Sequence, residues 1–208
     1  MDDDIFVDFN QLKTVLKRQY PDLKNDILGY KHVGLVPQRR AEDKWFVSHA
    51  DFPGATFPDF VSGWAYVTSQ DVARRVVEKA NEGHGDIKTG VTWIDDLWIT
   101  GIVAPQAGVS LLTLNAFYTP DVNYLRCCQT KNDLVDDDDR KWCDFIVGPS
   151  DGDPELIESL GRMSRRCQEQ GCIKRKWPNV LVKTCIRAVD PFEIPKAKYS
   201  AKVIAINI

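Results

Sequence analysis

The first 126 residues of this 208-residue chain contain no cysteine, and the whole chain has only three histidines. The six cysteines all follow residue 126, far from the histidines, and no C-x-x-C pair occurs. A structural zinc site normally draws on such residues at paired spacing, so we expect none. Long apolar runs are missing as well, because no segment approaches the roughly 20 residues of a membrane helix. The start, Met1-Asp2-Asp3-Asp4, also lacks the basic and apolar order of a signal peptide. We therefore expect no membrane segment in this chain.

The composition is that of a packed domain. The chain has 27 Lys plus Arg against 30 Asp plus Glu, and 43% of its residues are apolar. That apolar share is enough to build a core, and no Gly/Ser-rich or Pro-rich linker marks a boundary. Predicted helices and strands alternate along the chain, which favours an α/β fold.

Helix signals are clear at three places. Asp8 is placed to cap a helix over residues 9–19, a role worth about 1 kcal/mol. Ser69 caps a second helix that Gly83 stops, and Asp153-Pro154-Glu155 begins a third that runs to Gly171. The third helix carries an apolar stripe formed by Leu156, Leu160, Met163 and Cys167. A short helix from Asp95 or Asp96 is expected to end before Pro105. Strands are predicted over residues 27–36, 109–114, 180–186 and 202–208.

The cysteines favour disulfides over buried thiols, since clustered cysteines suit an oxidising compartment. Six cysteines allow 15 pairings, and the sequence does not choose among them. Cys167 and Cys172 have the weakest support, because one lies on the last helical turn and the other beyond Gly171. Small apolar core residues are the alternative for several of them.

Residues 162–187 contain eight basic residues and one acidic residue. Such a patch could meet an anionic polymer, a membrane surface or an acidic partner, and a solvated surface is the plainer alternative. The stretch lacks the repeated aromatic residues of a nucleic-acid platform, since Trp177 is its only aromatic residue, so we expect no nucleic-acid binding.

Two clusters of acidic residues could take part in metal binding or catalysis. Asp2, Asp3 and Asp4 precede the apolar run Ile5-Phe6-Val7, and carboxylates at this density suit magnesium or manganese. A solvated tail is the alternative reading. Asp95 and Asp96 lie between bulky apolar residues at a helix start, so one could cap the helix and the other act as a general base. Both could also be structural.

Aromatic residues form a third cluster, over residues 44–47 and 57–67. Aromatic side chains in a Pro/Gly-rich loop suit stacking on sugar rings, and Ser62 and Gly63 would let the backbone approach a ligand. An aromatic core beneath a long loop fits the pattern equally well.

In this order, the clusters resemble the beta-1,3-galactosyltransferase superfamily, glycosyltransferase family 31. Its motifs are D-D-D-[VI]-F-V, K-W-Y-V, Y-P-x-Y-C-S-G-x-x-Y-V and E-D-V-Y-x-G. Their counterparts here are residues 2–7, 44–47, 57–67 and 95–101. The resemblance covers about residues 2–114 and implies a partial GT-A-like (nucleotide-diphospho-sugar transferase) mixed sheet with flanking helices. It implies that residues 1–118 are the C-terminal part of a catalytic domain, with a Cys-containing region, 119–208, of unassigned role packed on it.

The resemblance also implies a reaction, in which a hexose passes from a UDP-sugar to a glycan or glycoconjugate acceptor hydroxyl with inversion. Asp4, with Asp2, would hold Mn²⁺. Asp96 would be the catalytic base, and Asp95 would cap or orient a neighbour. The residues expected to line the substrate cleft are Trp45, Phe57, Phe60, Ser62 and Gly63. The implied location is the Golgi lumen.

The sequence departs from the family pattern in two respects. Val61 stands where the family usually has cysteine, and no histidine follows His84, where some members have a further metal contact. Family members also carry a membrane anchor and a nucleotide-binding half ahead of the D-D-D motif, on which this chain begins. We therefore expect the chain alone to have little transferase activity. The alternatives are a non-catalytic sugar-binding fragment or pseudoenzyme, and an interaction module that uses residues 162–187.

Overall fold

The computed structural model describes residues 3–82, 93–133 and 142–172. The elements are, in chain order, β1 (Ile5–Val7), α1 (Phe9–Gln19), β2 (Asp26–His32), β3 (Phe60–Thr68), α2 (Gln70–Glu82), a π-helical segment (Leu97–Val103), α3 (Ala104–Gln106), β4 (Ser110–Thr113), a 3-10 turn (Asn115–Phe117), α4 (Val122–Asp133), β5 (Val147–Pro149) and α5 (Pro154–Gln170). Helices and strands alternate, so the α/β class is confirmed.

The strands form two small sheets. The larger has the order β3-β2-β4, with β3 antiparallel and β4 parallel to the central strand. The smaller pairs β1 with β5 in antiparallel register. The predicted mixed sheet with flanking helices is therefore confirmed at this coarse level.

Two predicted boundaries differ from the structure. Strand β2 ends at His32 rather than at residue 36, because the chain turns at Gly34, whose φ of 64° is in the left-handed region. The helix expected to stop before Pro105 continues to Gln106. Pro105 lies in the first turn of α3, which continues directly from the π-helical segment. The predicted strands at residues 180–186 and 202–208 lie outside the described residues.

Strand β1 is buried along its whole length and contributes to two core clusters. Phe6 packs with residues of α4 and α5, including Leu125 and Leu160. Ile5 and Val7 point to the other side of the strand, as the period of two requires, and pack with Leu28 and its neighbours. β1 therefore joins the larger sheet to the helices that follow it late in the chain.

Asp8 does more than cap α1, contrary to the expectation of a cap alone. Its side chain is 1% exposed and accepts hydrogen bonds from the N–H groups of Asn10 and Gln11. It also accepts from the Ser164 hydroxyl of α5 at 2.7 Å and from Gln11 Nε2 at 3.0 Å. Asn10 Nδ2 donates to the same Ser164 hydroxyl. A helix N-terminus is thus linked to a helix far along the chain, which sequence spacing cannot show.

Removing the Asp8 carboxylate should therefore cost more than a cap. We expect Asp8→Ala to lower the free energy of unfolding by about 3 kcal/mol, because several buried donors lose their acceptor. Ser69→Ala is the matched control: Ser69 caps α2 by accepting from the Val72 N–H, and we expect a loss of about 1 kcal/mol. Denaturant unfolding measures both values. Equal losses would contradict the linking role of Asp8.

The cysteines adopt both of the expected states. Cys167 and Cys172, the pair with the weakest support from sequence, form a disulfide. Helix α5 ends at Gly171, whose φ of 81° turns the chain, and this brings the two Cα atoms to 4.8 Å. Cys127 is also disulfide-bonded, whereas Cys143 is a buried free thiol.

Within the described parts of the chain, no helix is both long and apolar enough to cross a membrane. Of the basic stretch, the described residues end at Cys172, and Arg162 there forms an exposed ion pair with Glu158 of its own helix. Such exposed pairs contribute little to stability.

Candidate active site

Asp96 lies where the π-helical segment meets strand β3. Its Oδ1 accepts a hydrogen bond from the Leu97 N–H at 2.8 Å, and its Oδ2 accepts one from the Gly63 N–H at 3.0 Å. The carboxylate therefore caps the helical segment and also binds the backbone of the strand. Each oxygen keeps a lone pair for a further donor.

Two residues hold this segment tightly against β3. Thr100, which is fully buried, accepts from the Val61 N–H at 2.8 Å and donates to the Asp96 carbonyl at 2.7 Å. A Cβ added at Gly101 would lie 2.9 Å from Phe60 Cβ, closer than such atoms approach in proteins. The absence of a side chain at Gly101 thus permits the close packing that fixes the position of Asp96.

The electrostatics favour a proton acceptor. Burial raises the pKa of the Asp96 carboxyl and the charge of Asp95 adds to this, while the Gly63 and Leu97 N–H groups and His32 oppose it. Burial lowers the pKa of His32, against the opposing effect of Asp96. Burial, together with the charges of Asp95 and Asp96, raises the pKa of Tyr66. Burial is the largest effect on all three groups.

His32 and Tyr66 were not predicted as site residues. They lie on neighbouring antiparallel strands, and β3 also supplies Gly63 to the Asp96 carboxylate. The His32 ring stacks on Phe60 at 4.6 Å between centroids and meets the edge of the Tyr30 ring at 5.0 Å. Sequence gives no signal for this, because the strand register that brings the residues together depends on the folded sheet.

The shift at Asp96 can be tested by NMR titration of its carboxyl carbon. We expect a pKa above the ordinary aspartate value of about 3.9. We expect His32→Gln to raise it further, since the histidine charge favours the carboxylate. His49→Gln, at an exposed histidine, is the control and should leave the titration unchanged. An ordinary pKa for Asp96, or a fall in the His32 variant, would contradict the assigned electrostatics.

The raised pKa of Asp96 also determines how this carboxyl changes the stability of the fold with pH. Because the pKa of Asp96 is higher in the folded than in the unfolded chain, ionisation of this carboxyl opposes folding. The cost is absent below the unfolded-state pKa and is complete once the pH exceeds the folded-state pKa. At neutral pH, this group therefore reduces stability relative to acidic pH.

Asp95 differs from its neighbour. It is exposed, and its Oδ1 accepts from the Asp96 N–H at 3.0 Å. The resemblance implies that Asp95 caps the helix or orients a neighbour; the cap is formed instead by Asp96, and Asp95 contacts the Asp96 backbone. The structure brings Asp95, Asp96 and Gly63 into one site.

The predicted aromatic residues fall into two groups. Phe57 and Phe60 are 8% and 5% exposed and pack in a core cluster with Val47 and Leu97, so protein covers their rings. Ser62 is also buried. Trp45 differs, because it is 53% exposed. The cleft-lining role of these residues remains a prediction.

Arg39 organises the loop that carries Trp45, and sequence reasoning missed it. Its Nη1 donates to the carbonyls of Val47 and Ser48, and its Nη2 donates to those of Phe52 and Gly54, all within 2.9 Å. One guanidinium thus satisfies four carbonyls of an irregular loop. The only signal in the sequence was the arginine pair Arg39-Arg40 before an aromatic segment.

Of the two predicted metal ligands, Asp4 and Asp2, the structure describes only Asp4. Asp4 is exposed, and its carbonyl accepts hydrogen bonds from the N–H and the hydroxyl of Ser150. Asp2 lies outside the described residues. In the described parts of the chain, no three His, Cys, Asp or Glu side chains form a group that could hold a metal ion.

A cleft of about 660 Å³ lies elsewhere, between α1 and the segments near Phe117 and Cys143. None of the predicted site residues lines it. The candidate active site around Asp96 is therefore separate from this cleft.

The family model described as Galactosyltransferase matches residues 1–115. This range is more than half of the chain and includes β1, the aromatic loop, β3 and the Asp95–Asp96 pair. The chain belongs to the galactosyltransferase family.

Three of the similar proteins are named as lactosylceramide N-acetylglucosaminyltransferases. A lactosylceramide 1,3-N-acetyl-beta-D-glucosaminyltransferase B of Xenopus laevis is 36% identical over 108 residues, which are 52% of this chain and 27% of that protein. The corresponding enzymes of Xenopus tropicalis and Homo sapiens are 35% and 29% identical, with the same coverage of each chain. The chain thus spans about a quarter of the length of the curated relatives it matches.

Proposed function

We propose that the full-length protein transfers a hexose from a UDP-sugar to a hydroxyl of a glycan acceptor, with inversion, and that Asp96 is the base. The observation that supports this most directly is the Asp96 carboxylate itself. It is held from two sides by Gly63 and Leu97, and burial raises its pKa. A positioned carboxylate of raised basicity is what removal of an acceptor proton requires.

The reaction balances without a further reactant. The acceptor oxygen attacks the anomeric carbon while Asp96 takes the hydroxyl proton. The bond from that carbon to the UDP oxygen breaks, and UDP leaves with the electron pair. The fixed Gly63 and Leu97 N–H groups orient the carboxylate, and Asp95, whose oxygen binds the Asp96 N–H, orients its backbone.

Manganese fits the residues at the start of the chain. The ion prefers hard oxygen ligands and is commonly held by one or two carboxylates together with substrate phosphates. Asp4 is exposed, and its backbone is fixed by Ser150, so its carboxylate could face a diphosphate. Under this proposal Asp4, with Asp2, holds Mn²⁺. When bound, the ion would neutralise charge on the diphosphate.

The finer structural assignments belong to the same proposal. A GT-A-like arrangement is supported by the small mixed sheet and by the family match over residues 1–115. We propose that residues 1–118 contribute to the catalytic domain and that 119–208 pack against it. Pairing of β1 with β5 and the hydrogen bond from the Ser164 hydroxyl to the Asp8 carboxylate support this packing. The names of the relatives favour a lactose-terminated glycolipid acceptor. Residence in the Golgi is proposed from the family resemblance alone.

Substitution of each acid tests the assignment of the base. In the full-length protein, with UDP-N-acetylglucosamine as donor and lactose as acceptor, we expect Asp96→Asn to reduce kcat by about 10²- to 10⁴-fold. UDP affinity and folding should be nearly unchanged, because the amide loses one backbone hydrogen bond but also removes the buried charge that opposes folding. Asp95→Asn, the matched control, should lose stability or a smaller part of the activity.

The result can go against the proposal in two ways. If Asp95→Asn is the inactive variant and Asp96→Asn turns over normally, the two roles are reversed. If both variants are active, the acids have structural roles and the proposed reaction has no base at this site.

The metal role has its own test. We expect Asp4→Asn in the full-length protein to abolish manganese-dependent binding of UDP, since a neutral amide cannot offset the charge of the cation. Calorimetric titration of UDP with and without Mn²⁺ measures this. Asp22→Asn, at an exposed aspartate beyond α1, is the control. Unchanged metal-dependent binding in the Asp4 variant would exclude the role.

A further inference from the structure

Two tryptophans form an exposed stacked pair, and one of them precedes Asp96 by three residues in the chain. Trp45 and Trp93 are 53% and 47% exposed, and their rings lie 6.1 Å apart between centroids at an angle of 7°. The Lys44 ammonium lies 4.8 Å from the centroid of the Trp45 ring. Large aromatic surfaces are normally buried, so a parallel exposed pair indicates a surface that binds something.

The backbone on both sides of the pair is anchored in one core cluster. Val47, two residues after Trp45, and Leu97, four residues after Trp93, are fully buried and belong to the same cluster. Ile94 packs against this cluster, and Arg39 holds the carbonyl of Val47. The indoles therefore project from fixed backbone, as a preformed binding surface requires.

The pair lies next to the proposed base in the chain. Trp93 is followed by Ile94 and then by Asp95 and Asp96, and the Trp98 N–H already bonds the Ile94 carbonyl. A ligand resting on Trp93 would thus lie one helical turn from the carboxylates.

We propose that Trp45 and Trp93 form an aromatic platform for a pyranose ring of the acceptor glycan. This inference rests on the proposed function and names an acceptor subsite, to which Trp93 has not been assigned. The apolar C–H face of a pyranose packs on a flat aromatic ring, while its hydroxyls point outward. Lys44 adds a donor for one of those hydroxyls. The small area and the polar residues beside it, including the ion pair of Arg40 with Asp43, suit a sugar.

The test uses binding rather than turnover. Affinity for lactose is measured by saturation-transfer NMR, observing the sugar, so that loss of a tryptophan does not remove the signal. We expect Trp93→Ala to weaken lactose binding by about 3- to 10-fold. Trp93→Phe, which keeps a flat ring, should retain most of the affinity. Val77→Ala is the control, because Val77 is an equally exposed apolar residue on α2.

The outcomes separate this inference from the proposed reaction. Equal affinity of wild type and Trp93→Ala, or no lactose binding by the wild type, would overturn the platform. If Trp93→Ala is folded, has an unchanged Tm and selectively loses affinity for lactose, the result supports the platform. If lactose binds on the platform but the full-length protein does not turn over, the platform stands and the transferase proposal fails. In an active protein, the Trp93 variant should raise KM for lactose while KM for the donor and kcat remain unchanged.

Discussion

The attachment of residues 95–103 to strand β3 is the contact on which the candidate site depends. Three features create it: a carboxylate that binds the strand backbone, a buried threonine hydroxyl that bonds both segments, and a glycine that allows close approach. The carboxylate and the hydroxyl accept hydrogen bonds from backbone N–H groups that would otherwise be buried without partners. The glycine lets the two segments approach closely enough for these bonds to form.

The chemistry of Asp96 arises from a balance between two effects of the same location. Backbone N–H groups stabilise its charge, whereas removal from water destabilises it. Burial is the larger effect, so the carboxyl is both firmly positioned and more basic than usual. A carboxylate that only capped a helix in solvent would have the first property without the second. His32 and Tyr66 lie in the same field, which makes this a coupled group of titrating residues.

Local signals in the sequence predicted the helices well, because caps, prolines and glycines act within a few residues. Asp153 and Ser69 cap helices as expected, since their partners lie three residues away. What could not be predicted depends on long-range register. His32 reaches Asp96 through a strand pairing, Arg39 binds carbonyls up to 15 residues away, and Asp8 meets Ser164 across 156 residues. The burial of Phe57 and Phe60 could not be predicted either, because aromatic residues in a loop show the same sequence pattern whether they pack in a core or contact a ligand.

The pairing of β1 with β5 has a consequence for how the chain is made. The Asp4 carbonyl and its partner Ser150 are 146 residues apart, so the ribosome releases one roughly 7–30 s before the other. During this interval Ile5, Phe6 and Val7, all buried in the finished fold, have no strand partner from β5. An apolar strand edge in that state is a site for aggregation or for a chaperone. The segment that carries Asp4 is thus held in place by a strand that is synthesised well after it.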